Sequence, residues 1–141
     1  MAYNILVVDD SKMIRSIIKK TLSLTKLDIG EIYEAENGKV ALEVLENSWV
    51  DVVLSDLNMP EMSGLELIDA MAEDGLLKDT PVVVISTDGS VTRIDELKKK
   101  GIREYIRKPF TPEAISEIIE KVLGVLDNEK ELQRKSEQSS L

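Results

Sequence analysis

Four groups of residues in this sequence are of the kinds that handle phosphoryl groups: Asp9-Asp10, Asp56, Ser86-Thr87 and Lys108. Each follows a short strand-like run. Ile5-Leu6-Val7-Val8 precedes the Asp pair, Val52-Val53-Leu54 precedes Ser55-Asp56, Pro81-Val82-Val83-Val84-Ile85 precedes Ser86-Thr87, and Glu104-Tyr105-Ile106-Arg107 precedes Lys108. Three carboxylates brought close together repel one another and need a cation. The chain has no Cys and no His, so thiolate and imidazole ligands are excluded. An all-oxygen acidic site suits Mg²⁺, which takes few carboxylates, a carbonyl and retained waters. Asn58, two residues past Asp56, is placed to offer its backbone carbonyl. A carboxylate beside a cation, a lysine and a hydroxyl donor makes a phosphoryl site, with Asp56 as acceptor and Ser86 and Lys108 around it. Singly these are ordinary loop residues, since many strands end on Asp for turn reasons alone. Their conjunction at the ends of four strands carries the weight.

Runs that are apolar on both faces belong in a parallel sheet covered by helices on each side. In such a sheet all the C-terminal strand ends lie on one edge, so the four groups converge. Helical spacing fills the intervals. Ser11 caps a first helix with Ile14, Ile17, Ile18 and Leu22 inward. Glu31 to Glu36 reads as a more polar edge strand, and Asn37-Gly38 as a turn. A second helix follows with Val40, Ala41, Val44 and Leu45, and a third runs from Gly64 to about Glu73 with Leu67, Ile68 and Met71 inward. Val91, Ile94 and Leu97 face inward on a fourth, closed by Gly101. Thr111-Pro112 opens a fifth whose apolar stripe reaches Leu126. Five strands alternating with five helices predict a three-layer α/β/α sandwich on a five-stranded parallel sheet. Residues 1–126 form the one domain, and 127–141 a polar extension, either a frayed helix or a disordered tail.

Composition narrows the function. With 141 residues and 43% hydrophobic content the chain can bury a core rather than remain disordered. A formal charge of -9 argues against DNA as a partner. The lack of His excludes histidine general-base catalysis and a phosphohistidine on this chain. No window approaches a membrane span, so no membrane insertion and a cytoplasmic location are expected. Two competing chemistries fail. Thr25-Lys26-Leu27-Asp28 matches a guanine-recognition pattern, but no G-x-x-x-x-G-K-[ST] loop accompanies it. An FMN site would need a neutral loop after the first strand, where Asp9-Asp10 would repel the phosphate.

The residues resemble the receiver domain of two-component response regulators, with the single-domain chemotaxis type nearest in length. The resemblance spans roughly residues 3–126. It rests on Val7-Val8-Asp9-Asp10-Ser11 with Arg15, Ser55-Asp56-Leu57-Asn58-Met59-Pro60-Glu61-Met62-Ser63-Gly64, Ser86-Thr87 and Tyr105-Ile106-Arg107-Lys108-Pro109-Phe110. It implies a flavodoxin-like sheet of strand order 2-1-3-4-5 and phosphorylation of Asp56 by a sensor histidine kinase or phosphotransfer protein. It also implies Mg²⁺ held by Asp9, Asp10, Asp56 and the Asn58 carbonyl, with Asp9 acting mainly through water. Lys108, aimed by a cis peptide to Pro109, then pairs with the carboxylate and later with the phosphoryl oxygens. Ser86 bonds the phosphoryl group, and Tyr105 turns as a rotameric switch together with Ser86 and Thr87. Thr87 stands where a smaller Ala is usual, next to the phosphoryl access route, and Asn58 and Asp88 border the path of attacking water.

Arg93, Lys98, Lys99, Lys100, Arg103, Arg107 and Lys108 make a basic segment in an acidic protein. A docking face including Arg93, Lys98, Lys99, Tyr105 and Arg107 on the fourth helix, fifth strand and fifth helix would suit an acidic effector protein, with a phosphatase as a further partner. The charge run equally suits a solvated helix face. The chain is expected not to be an enzyme beyond its own phosphoryl transfer and slow dephosphorylation. A phosphate sink or relay intermediate is the alternative. A small aspartyl-phosphate hydrolase is disfavoured by Asn58, where such enzymes place a second carboxylate.

Overall fold

The computed structural model describes residues 2–87 and 89–124. Its elements in order are β1 (Tyr3–Val8), α1 (Lys12–Ser23), β2 (Ile29–Ala35), α2 (Gly38–Asn47), β3 (Val52–Ser55), α3 (Gly64–Glu73), β4 (Val82–Ser86), α4 (Val91–Lys99) and β5 (Glu104–Arg107). A fifth helix, α5, runs over residues 112–124. The strands form one parallel sheet in the order β2-β1-β3-β4-β5. The predicted sandwich and strand order are therefore both present. Asp88, Leu126 and the predicted extension over 127–141 lie outside the described residues. Among the described residues no helix is long and apolar enough to cross a membrane.

Strand periodicity sorts the core into two halves. Leu6, Val8, Val53 and Val84 point to one face, against Ala41 and Leu45 of α2, Leu67, Ile68 and Met71 of α3 and Leu97 of α4. Their neighbours Ile5, Val7, Val52, Leu54, Val83 and Ile85 point to the other, against Ile18 and Leu22 of α1 and Ile115, Ile119 and Leu123 of α5. Successive side chains of a strand alternate faces, so a doubly covered strand must be apolar throughout. Every residue of β3 and β4 is buried, whereas on edge strand β2 only Ala35 is.

The caps read from the sequence at Ser11 and Thr111 are in place, and Ser90 caps α4 in the same way. The side chains of Ser11 and Ser90 accept from the amides of Ile14 and Arg93, and Thr111 Oγ1 accepts from the Ala114 amide at 3.1 Å. Asn37 caps α2, accepting from Val40 at 2.9 Å, so the predicted turn is a helix start. Ser63 and Glu66 form a reciprocal capping box at the head of α3. Gly101, at φ +100°, ends α4 in a backbone conformation that L side chains rarely adopt.

Three details depart from the sequence reading. β2 begins at Ile29 rather than Glu31, because the Asn4 carboxamide accepts from the Glu31 amide at 2.9 Å and carries the pairing across an irregularity between Tyr3 and Ile5. Ile17 faces solvent while Thr21 is buried. The Thr21 hydroxyl is satisfied by the Ile17 carbonyl one turn back, at 2.9 Å, which removes the cost of burying it. Val91 is also exposed, because α4 anchors through Leu97 at its other end.

Candidate phosphoryl and metal site

The site forms where β1, β3, β4 and β5 end. Asp9 is buried, Asp10 is exposed and Asp56 is 9% exposed. One carboxylate oxygen from each lies within 4.8 Å of the others. The donor set is oxygen only, so the residues present fit a hard divalent cation such as Mg²⁺. Asn58 is exposed in the loop just past Asp56.

Lys108 enters from the far side of the sheet. Its amide donates to the Ser86 carbonyl at 2.7 Å, continuing the β4–β5 ladder one residue past Arg107, and its peptide to Pro109 is cis. The ammonium lies 2.9 Å from Asp9 Oδ2 and 3.3 Å from Asp56 Oδ2. Its shorter contact is thus with Asp9 rather than with Asp56. The other oxygen of Asp9 accepts from the Ser11 amide at 2.9 Å, and Asp56 Oδ1 accepts from the Leu57 amide at 2.8 Å. Ser86 is fully buried beside them, while Thr87 is exposed at the rim.

These surroundings set the charges. Burial pushes the Asp56 carboxyl above its ordinary value of 3.8, and nearby Asp9 adds to this. Lys108 and the Leu57 amide pull it down without cancelling the rise. Burial lowers the Lys108 ammonium, but its contacts with Asp9 and Asp56 outweigh that and hold it above the usual lysine value. A carboxyl raised on folding binds more protons in the native state. Below its unfolded pKa it therefore favours folding, and that contribution is lost as pH rises through the folded value. Asp56→Asn should therefore melt at a higher temperature than wild type in metal-free buffer at pH 7. The gap should narrow as pH falls towards the unfolded value of 3.8. Thermal melts across pH check this, and a lower melting temperature for the variant at pH 7 would contradict it.

The other singled-out residues line up along β5 and α4. Tyr105 is half-buried and packs on the core half that contains Val84 and Leu97. Arg107, on the same face of β5, is exposed and lies over Gly89 in the β4–α4 loop, where an added Cβ would meet its Cδ at 2.7 Å. Arg93 pairs with Glu96 at 3.3 Å, and Lys100 with Asp69 at 2.8 Å. Lys98 and Lys99 are exposed at the end of α4. Arg93, Lys100 and Lys108 of the basic segment are thus paired within the fold.

The sequence alone assigns no task to Arg15 or Glu34. Arg15 donates to the Asp9 backbone carbonyl and, through Nε, to Glu34 at 3.1 Å. Its spacing after Asp9 on α1 was the available signal, since it puts the side chain one turn above the Asp pair.

A profile of the response regulator receiver domain matches residues 5–120. Chemotaxis protein CheY1 of Helicobacter pylori is 43% identical over 124 residues, covering 87% of this chain and 98% of that protein. The Campylobacter jejuni chemotaxis protein CheY homolog is 42% identical over 121 residues, 85% of this chain and 92% of its own length. Among solved structures, the chemotaxis response regulator CheY4 of Vibrio cholerae superposes with a TM-score of 0.78 at 32% identity, covering 86% of this chain and 99% of that one. The oxygen-only pocket at the strand ends and these likenesses agree, and the chain belongs to the response regulator receiver family of two-component signalling.

Proposed function

We propose that this protein is a phosphorylation-driven binding switch. In this reading a sensor histidine kinase or phosphotransfer protein donates a phosphoryl group to Asp56, and the transfer changes a surface formed by α4, β5 and α5. The observation that carries it is the convergence of Asp9, Asp10, Asp56 and Lys108 from three strand ends. A carboxylate oxygen of Asp56 attacks phosphorus. The bond between phosphorus and the donor's imidazole nitrogen breaks, and its electron pair stays on that nitrogen. Lys108 brings positive charge to the phosphoryl oxygens. Mg²⁺, held by Asp9, Asp10, Asp56 and the Asn58 carbonyl, supplies the remaining charge neutralisation when bound.

The Ser86 hydroxyl then donates to a phosphoryl oxygen, and Tyr105 turns inward from its half-buried position. Thr87, at the rim, narrows the access route. Turning Tyr105 alters the β5 face it shares with Arg107, on the side of the sheet where α4 carries Lys98 and Lys99 in its last turn. Among the described residues Lys98, Lys99 and Arg107 make no ion pair, so they suit an acidic effector. The change is a shift between two populations, driven by a local charge event. The chain performs its own phosphorylation and slow dephosphorylation and turns over no other substrate. Residues 1–126 act as the receiver unit.

Beryllofluoride with Mg²⁺ mimics the phosphorylated carboxylate and tests the switch. Amide resonances of residues 91–107 should shift together with those of the Asp9–Ser11 and Asp56–Asn58 loops. Shifts confined to the two loops would mean phosphoryl binding without a switch, and would sink this reading.

A further inference from the structure

Arg15 takes no part in the steps above, yet its side chain is only 13% exposed and is held at both ends. One guanidinium nitrogen, Nη1, donates to the backbone carbonyl of Asp9. Nε donates to Glu34 Oε1 at 3.1 Å, and the other Glu34 oxygen accepts from Lys19 Nζ at 3.1 Å. Glu34 lies on β2, the strand that pairs with β1. The Asp9 amide donates to Ala35 on β2 at 3.0 Å, and the Asp9 carboxylate accepts from the Ser11 amide. The backbone at Asp9 is therefore pinned from the β2 side, and Arg15 pins the carbonyl that follows.

That carbonyl belongs to the peptide joining Asp9 to Asp10. A peptide unit is planar, so fixing its oxygen also fixes the amide nitrogen and Cα of Asp10. Asp10 is the one exposed member of the acidic trio. Among the described residues no donor holds its carboxylate, so the backbone that carries it sets the point from which it reaches the pocket.

We infer that Arg15, braced by Glu34, is a positioning residue that aims the Asp10 carboxylate into the cation pocket. The inference rests on the Mg²⁺ reading of that pocket. It makes a prediction of definite sign. Arg15 carries a positive charge next to a proposed cation site, so on charge alone its removal would strengthen Mg²⁺ binding. Removal of a positioning group weakens it instead, because groups that orient metal ligands typically contribute 10- to 100-fold in affinity.

The test is Mg²⁺ titration by calorimetry at constant ionic strength, with thermal melts in chelator alongside. Wild type should bind Mg²⁺, and Arg15→Ala should bind about tenfold more weakly or worse. Arg15→Lys keeps the charge but lacks the planar fork that reaches both Asp9 and Glu34, so it should stay weak. Glu34→Gln should show a smaller loss. The double variant should be no weaker than Arg15→Ala, because Glu34 acts through Arg15. Equal or tighter Mg²⁺ binding by folded Arg15→Ala would overturn the inference and leave Arg15 a role in charge or fold stability only. Failure of wild type itself to bind Mg²⁺ would overturn the reading of the pocket, and the inference with it.

Discussion

Asp56→Asn should acquire no phosphoryl group when incubated with Mg²⁺ and a small acyl phosphate, while wild type gains one by intact mass. The loss should be complete rather than partial, because the substitution removes the nucleophile. An amide oxygen carries no charge to attack phosphorus and cannot form a stable acyl phosphate. Asp9 does not substitute for it. It is more deeply buried, 2% exposed against 9% for Asp56, and Lys108 holds it more closely, at 2.9 Å against 3.3 Å. Asp10 is exposed and has no lysine within ion-pair distance among the described residues. An adduct of the same mass on Asp56→Asn would remove Asp56 from its assigned role. The same substitution is expected to stabilise the metal-free fold, because burial raises the Asp56 carboxyl. Losing phosphorylation while gaining thermal stability would mark Asp56 as a residue kept for function at a cost to the fold.

Gly64→Ala carries the second large expectation. A Cβ at this position would lie 2.2 Å from the Asp56 carbonyl oxygen and 2.9 Å from Leu57 Cα, both backbone atoms that cannot rotate away. The close approach is built in, because the Gly64 amide donates to the Leu57 carbonyl at 2.8 Å and ties the head of α3 to the end of β3. Relief requires moving α3 or moving the Asp56–Leu57 backbone. The cost should be about 1–3 kcal/mol or more, as for other overpacked sites. Because the displaced backbone carries Asp56, Mg²⁺ affinity should fall along with stability. Gly75→Ala is the matched control, since nothing lies within 4 Å of its added Cβ. Thermal melts with Mg²⁺ titrations check both variants. A Gly64→Ala protein that melts and binds like wild type would show that α3 yields without disturbing the site.

Much of this architecture was legible because its signals are local. An apolar run such as Val82-Val83-Val84-Ile85 reports that both faces of a strand are covered. A Ser at a helix start reports an unsatisfied amide to be capped. Where local signals compete, the reading slipped. Ile17 counts as inward by periodicity, yet the tertiary neighbours of α1 put Thr21 on the buried side. Val91 fits the apolar spacing of α4 but precedes its packed end. In both cases propensity and spacing named the helix correctly, and the packing partner chose the face.

The same division runs through the site. By itself the sequence determined which residues stand at the strand ends and that, with no Cys or His in the chain, their chemistry must rest on oxygen ligands, hydroxyls and a lysine. It also implied that these ends share an edge, since strands apolar on both faces and alternating regularly with helices pair in parallel through crossovers. The tertiary structure decided who meets whom on that edge. Lys108 lies closer to Asp9 than to Asp56, and Arg15 reaches back to the Asp9 carbonyl with Glu34 of the neighbouring strand behind it. Those contacts depend on sheet register and side-chain reach between segments far apart in the chain. Periodicity reports what a residue's own element buries, and carries no information about distances between elements.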